Sequence, residues 1–257
     1  MLGFDQIGSF GYFYRVRRAL ENDGYRVYAS KVDPFNTVAI RAGQLDQFIE
    51  SVLAKTGADK VHIIAHSMGG LDARYVISQL KKESSIASLS MIGTPNYGTL
   101  IADKVLEELD SRKYHCLLIL QKLVGIGESR FMQKVREVAR DLSVGWIKNR
   151  FNPAVRDSDQ VFYQSWAGIS SPFIGGSEDW MLPVLQPLSL LLQSWTGDND
   201  GLVSVASQKW GKFNGTIPAD HLDEVGQPFG GSSYTFHHIK FYRHIASTLR
   251  KVEAMSR

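Results

Sequence analysis

The sequence predicts an α/β domain, a mostly parallel sheet flanked by helices. Two patterns and the composition point to it. Apolar runs rich in β-branched residues alternate with stretches of helical periodicity, as a parallel sheet with crossover helices requires. One such run, Val61-His62-Ile63-Ile64-Ala65-His66, ends at Ser67, and Met68-Gly69-Gly70 then opens a helical pattern. The 257 residues, 44% hydrophobic and 21% charged, suffice for one core of this kind.

Each element follows from its local pattern. Helical periodicity covers about Phe10 to Glu21 and stops at Gly24, and Tyr25 to Val32 predicts a strand. Val38 to Lys55 predicts a helix, Lys60 to Ala65 the strand before Ser67, and Met68 to Lys81 the helix after it. Ile86 to Ile92, Val161 to Trp166 and Gly211 to Ile217 predict further strands, and the segment holding His237, His238 and His244 a last helix. Between Tyr97 and Asp159 the alternation gives way to an insertion containing the apolar run Cys116 to Val124. That run must cover something, either as a fixed cap on the sheet or as a lid over a pocket. A second apolar stretch, Trp180 to Leu185 and on through Leu192, could line the same pocket or serve as ordinary core.

The Val61–Gly70 segment reads as a nucleophile elbow: a buried strand, a serine at a strained turn and a helix packed close behind. Small residues flank Ser67 at −2 and +2, Ala65 standing where glycine is more usual. The plainer alternative is a strand–turn–helix with an incidental serine. An elbow serine needs an acid and then a histidine later in the chain. His221 lies in the polar loop Pro218 to Glu224 just after a predicted strand, where an open α/β sheet keeps its reactive groups. Asp200, in Asn199-Asp200-Gly201, precedes it by a short loop and strand, with Asp198 as the alternate. Its task would be to hold the imidazole tautomer and stabilise its cation. Alone, Asn-Asp-Gly is a turn and a loop histidine is solvated.

The chain resembles the bacterial triacylglycerol lipases of the Pseudomonas and Burkholderia type, members of the α/β-hydrolase superfamily. Five segments carry the resemblance, in the family's order: Met1 to Asp5, Ala65 to Gly70, Thr94 to Thr99, Asn199 to Val203 and His221 to Val225. The resemblance implies an α/β-hydrolase fold, with the insertion at about 97–159 as lid or cap on a single domain spanning 1–257. It implies hydrolysis of carboxylic esters through an acyl-enzyme: Ser67 as nucleophile, His221 as general base and Asp200 as orienting acid. It also implies an oxyanion hole from the backbone amides of Met68 and of the residue matching Met1. Here the sequence departs from the family, because the strand and His-Gly pair that should precede Met1 are absent. The departure favours a true start upstream of Met1, against an improvised oxyanion hole. No cofactor is implied for the chemistry. A structural calcium is implied, with Asp223, Gln227 and a carboxylate near Glu178-Asp179, best matched by Asp179, as side-chain ligands; a solvated loop carboxylate is the plainer role of Asp223.

Composition narrows the partners. A net charge of +3, without a basic block or aromatic–basic array, argues against nucleic acid. Cys116 is the one cysteine, so no internal disulfide forms and the redox compartment stays open. No apolar run reaches the length of a bilayer, and the start lacks the pattern of a secretory signal. With an upstream start expected, localisation stays open. The expected function is a lipase-like serine ester hydrolase acting on acyl esters, with a lipid–water interface as partner. The alternatives are a short-chain carboxylesterase or thioesterase on the same residues, and a catalytically inactive hydrolase-fold binding protein or fragment. Oligomeric state is open.

Overall fold

The structure, a computed structural model, describes residues 6–7, 10–111, 115–116, 118–119, 128–170, 183–227 and 236–255. A short antiparallel pair, β1 (Gln6–Ile7) and β2 (Phe10–Gly11), precedes helix α1 (Val16–Asn22). There follow α2 (Val38–Thr56), β3 (Val61–His66), α3 (Met68–Ser78) and β4 (Ile86–Ile92). Helices α4 (Leu100–Ser111) and α5 (Glu128–Leu142), then short turns of helix through Ala154, lead to β5 (Phe162–Ile169). The chain ends with α6 (Gln186–Thr196), α7 (Val205–Gln208), β6 (Lys212–Pro218) and α8 (His238–Met255).

Strands β3, β4, β5 and β6 pair side by side in that order, all parallel. Their apolar side chains alternate between two faces, as the period of a strand dictates. Ile63, Ala65, Leu89 and Met91 pack with Ala42, Leu45 and Ile49 of α2 and Ala73, Val76 and Ile77 of α3. On the other face Ile64, Ile92, Trp166 and Ile217 meet Val16 and Leu20 of α1 and Tyr242, Ile245 and Leu249 of α8. The register sets His66 beside Ile92, Ile92 beside Trp166 and Ile169 beside Pro218, so the strands end on one edge of the sheet. That edge is where open α/β sheets assemble their sites.

Two elements differ from the sequence expectation. The helix predicted from Phe10 starts only at Val16, because Arg15 sits at φ 57°, a left-handed conformation through which an α-helix does not propagate. Residues 25–32 carry strand-forming side chains but form no strand. Val27 packs on one core and Val32 on the other, yet no strand lies alongside among the described residues to complete a ladder. Side-chain propensity supplies extended backbone, and only a neighbour turns that into sheet.

The insertion between β4 and β5 is tied down at several points. Val138 of α5, with Ile147, Phe151 and Val155, packs on Met68 and Leu71 of α3. The Asp141 carboxylate accepts from Val38 N–H at 2.9 Å, and Asp103 from Val144 N–H at 3.1 Å. These contacts fix this part of the insertion against α2 and α3. Most of the Cys116–Val124 run lies outside the described residues.

Helices α2 and α3 are joined by a buried ion pair. Arg41 Nη2 and Asp72 Oδ2 lie 2.6 Å apart, with the side chains only 1% and 2% exposed. Burial still raises the Asp72 carboxyl, the Arg41 charge opposing it. Removing one partner of such a pair strands a charge, whereas replacing both with apolar groups costs far less. Arg41→Met is therefore expected to lower stability by about 3–5 kcal/mol. Arg41→Met/Asp72→Leu should recover most of that loss, read from urea unfolding midpoints.

Candidate active site

Ser67 stands between β3 and α3 with φ 55° and ψ −136°. A non-glycine residue in this region stores about 1–3 kcal/mol and persists only where neighbours enforce it. Ser67 N–H donates to Ile92 O at 2.9 Å, and Gly70 N–H closes the turn on Ser67 O at 3.0 Å. Gly70 is required by space: a Cβ there would lie 2.2 Å from Thr94 Oγ1 and 2.9 Å from Thr94 Cβ. Gly69 is not, since its Cβ would meet nothing closer than Ala65 Cβ at 4.0 Å.

Asp200 and His221 arrive on two further loops that support one another. Asp200 Oδ1 accepts from the N–H groups of Leu202 and Val203, at 2.9 and 2.7 Å, which leaves Oδ2 facing His221. His221 N–H donates to Asp200 O at 2.9 Å, locking the two loops together. His221 Nδ1 lies 2.7 Å from Asp200 Oδ2, and Nε2 lies 2.9 Å from Ser67 Oγ. Asp198, the alternate acid, is exposed, whereas Asp200 is buried. Three residues drawn from separate loops thus form one hydrogen-bonded line, with Asp200 and His221 fully buried and Ser67 8% exposed. Met68, whose N–H opens α3, is buried beside them, and the helix N-terminus adds favourable dipole for a negative oxygen. Met1 lies outside the described residues.

Behind His221 lies a group of residues that the motifs did not reveal. Tyr12 Oη is 2.6 Å from His66 Nδ1, and His66 Nε2 is 2.6 Å from Glu224 Oε2. The His66 and His221 rings lie 4.5 Å apart, centre to centre. Burial holds His66 well below the usual imidazole range, and nearby His221 adds to the effect. Burial also pushes the Glu224 carboxyl well above its usual range, with Asp200 and Asp220 contributing. Glycine makes room for that carboxyl just past the end of β4 and within β5, since a Cβ at Gly93 or Gly168 would come within 2.1 Å of it. In the sequence, His66 looks like strand filler and Glu224 like one more loop charge. The available signals were their positions, one residue before Ser67 and one helical turn after His221; Tyr12 offers none. The ligand atoms of His66, His221 and Glu224 lie within 4.8 Å of one another. Both nitrogens of each ring have hydrogen-bond partners, so the cluster is a hydrogen-bonded network.

Asp223 and Gln227 occupy the same loop as His221 and are 8% and 3% exposed. A carboxylate and an amide oxygen suit a hard, oxygen-seeking cation such as calcium. Asp179 and Glu178 lie outside the described residues.

Residues 41–140 match the family model described as lipase, class 2. The chain is 38% identical, over 269 aligned positions, to triacylglycerol lipases of Pseudarthrobacter phenanthrenivorans and Burkholderia plantarii. These alignments take in 85% of this chain and 83% and 74% of those proteins. The chain belongs to the bacterial triacylglycerol lipases. As a member it is a lipase-like carboxylic ester hydrolase. Triacylglycerol lipase 2 of Saccharomyces cerevisiae is 31% identical over 83% of this chain, which spans 62% of the yeast protein's length. Among solved structures, lipase 1 of Pelosinus fermentans superposes with a TM-score of 0.72 over 97% of this chain and 96% of its own, at 18% identity. Staphylococcus hyicus lipase gives 0.72 over 97% and 92%, at 15% identity. These establish the α/β-hydrolase fold for the lipase chain.

The elbow of this lipase makes unequal demands on its two glycines. Gly70→Ala must displace the buried Thr94 and is expected to cost about 1–3 kcal/mol of stability. Gly69→Ala should be neutral, or stabilising by up to about 1 kcal/mol through helix propensity. Thermal unfolding of the two variants, side by side, checks this; equal losses would contradict it.

Proposed function

We propose that this lipase-family chain cleaves acyl esters with apolar acyl chains, triacylglycerols among them, through an acyl-enzyme on Ser67. The observation carrying the proposal is the unbroken line from Ser67 Oγ through His221 to Asp200, at 2.9 and 2.7 Å, on a serine held at φ 55°. His221 Nε2 takes the Ser67 proton as Oγ attacks the ester carbonyl. Asp200 Oδ2 keeps the ring proton on Nδ1 and stabilises the imidazolium that forms. The Met68 N–H donates to the carbonyl oxygen as it gains negative charge, an interaction worth about 10²–10³ in turnover. The imidazolium then protonates the departing alcohol, leaving the acyl group on Ser67. A water molecule, deprotonated by His221, attacks that acyl group, and Ser67 Oγ leaves with the returned proton.

The near-complete burial of the triad requires a cover that parts to admit an ester. In our reading the chain is a single domain whose insertion, about 97–159, supplies that cover. Leu118, Leu190 and Trp195 stand 46%, 44% and 46% exposed, which favours contact with a lipid–water interface. No described helix is long and apolar enough to cross a membrane. Asp223 and Gln227 would hold a structural calcium, whose charge would steady the His221 loop without taking part in the chemistry.

A fluorophosphonate should label the parent protein and leave Ser67→Ala unlabelled. Asp200→Asn should lose about 10⁴-fold in kcat, the loss typical when the orienting acid of such a triad becomes an amide. A folded parent that resists labelling would end the serine-hydrolase assignment. A series of p-nitrophenyl esters separates lipase from short-chain esterase. The expected outcome is rising kcat/KM from acetate to emulsified long-chain esters, and preference for acetate would assign the esterase instead.

A further inference from the structure

Two carboxyl groups lie near the same imidazole nitrogen. His221 Nδ1 is 2.7 Å from Asp200 Oδ2 and 3.8 Å from Glu224 Oε2. A ring N–H points along one direction, so only one of the two can accept it well. Glu224 at 3.8 Å is too far for a hydrogen bond, but a closer approach of its carboxyl would bring it into competition for the ring N–H. The contest is settled behind His221. Glu224 Oε2 lies 2.6 Å from His66 Nε2, and a His66 proton on Nε2 would hold the carboxylate there. Tyr12 can set that tautomer: its Oη lies 2.6 Å from His66 Nδ1, and a Tyr12 O–H donated there keeps Nδ1 as the bare, accepting nitrogen. The Glu224 backbone is fixed as well, its carbonyl accepting from Tyr242 O–H at 3.1 Å. Gly93 and Gly168 leave the space into which the carboxyl is drawn.

We propose that His66 is a positioning residue of the hydrolytic site: in the tautomer set by Tyr12, its Nε2–H holds the Glu224 carboxyl away from His221 Nδ1, so that Asp200 alone orients the catalytic ring. The role rests on the Ser67–His221–Asp200 assignment made above. It predicts an effect on the chemical step, transmitted through Glu224, and little effect on substrate binding. A misdirected catalytic group can cost about 10²-fold in rate.

The test compares fluorophosphonate labelling rates of Ser67, together with kcat and KM on one p-nitrophenyl ester, across variants shown to be folded by thermal unfolding. His66→Phe should lower the labelling rate and kcat by about 10–100-fold, with KM unchanged within about threefold. His66→Gln, which keeps an N–H donor for Glu224, should restore most of that loss. In a Glu224→Gln background, His66→Phe should have little further effect, because the competing carboxylate is gone. A wild-type rate in His66→Phe overturns the proposal. So does a loss in His66→Gln equal to that in His66→Phe, or an undiminished effect in the Glu224→Gln background. Should His66→Phe not fold, Tyr12→Phe decides: freeing the tautomer should slow labelling, again only while Glu224 is present, and an unchanged rate overturns the role. Failure of wild-type protein to label would instead remove the triad assignment, which keeps the two failures apart.

Discussion

The site depends on the backbone turn at Ser67. A parallel strand must hand its chain to a helix within one residue, and the geometry forces φ to 55° on a residue with a side chain. That strain would relax if the sheet allowed it. It does not, because Ser67 N–H is tied to the end of β4 at Ile92 O, and α3 is pressed against the next turn through the Gly70–Thr94 contact. The same β4 end brings Gly93, and β5 brings Gly168, to either side of the Glu224 carboxyl. Strand register, elbow strain and the floor of the site are one arrangement of packed backbone.

The partners of Ser67 are delivered with little help from the sheet. Asp200 satisfies the backbone of its own turn through Oδ1 and offers Oδ2 to His221, while its carbonyl holds the His221 amide. One residue therefore anchors the histidine loop through its carbonyl and contacts the ring through its carboxylate. Asp220 repeats the device, its Oδ1 accepting from Leu222 and Asp223 N–H to start the short helical turn that carries Glu224. Aspartate is suited to both places because its short side chain reaches backbone two and three residues on.

Tyr12, His66, Glu224 and Tyr242 bury several polar groups around the His221 ring. Burying them costs free energy unless each finds a partner. Tyr12, His66 and Glu224 are chained by two 2.6 Å hydrogen bonds, and Tyr242 caps the Glu224 carbonyl. Such a network permits few alternative packings, which gives the site a rigid rear wall where apolar side chains would permit several.

Much of this was written in local chemistry. The run Val61–His66 needed only its β-branched residues and the small residues after Ser67 to declare strand, turn and helix; the order serine, acid, histidine then singled out Asp200 and His221. Periodicity located α2, α3 and β4 because each buries a face whose pattern repeats with its own period. Residues 25–32 failed the same logic, since extended side-chain preference does not supply the neighbouring strand that makes a sheet. Tyr12, His66 and Glu224 were beyond it for a related reason. Their roles arise from contacts across 54 and 158 residues of chain, and no local pattern encodes which buried polar group will meet which. Local sequence determined the strained turn at Ser67 and singled out Asp200 and His221 as the residues that meet it. Only the tertiary structure decided which carboxyl lies nearer His221 Nδ1 and which buried groups surround the other, because that depends on three separate chain segments meeting at one edge of the sheet.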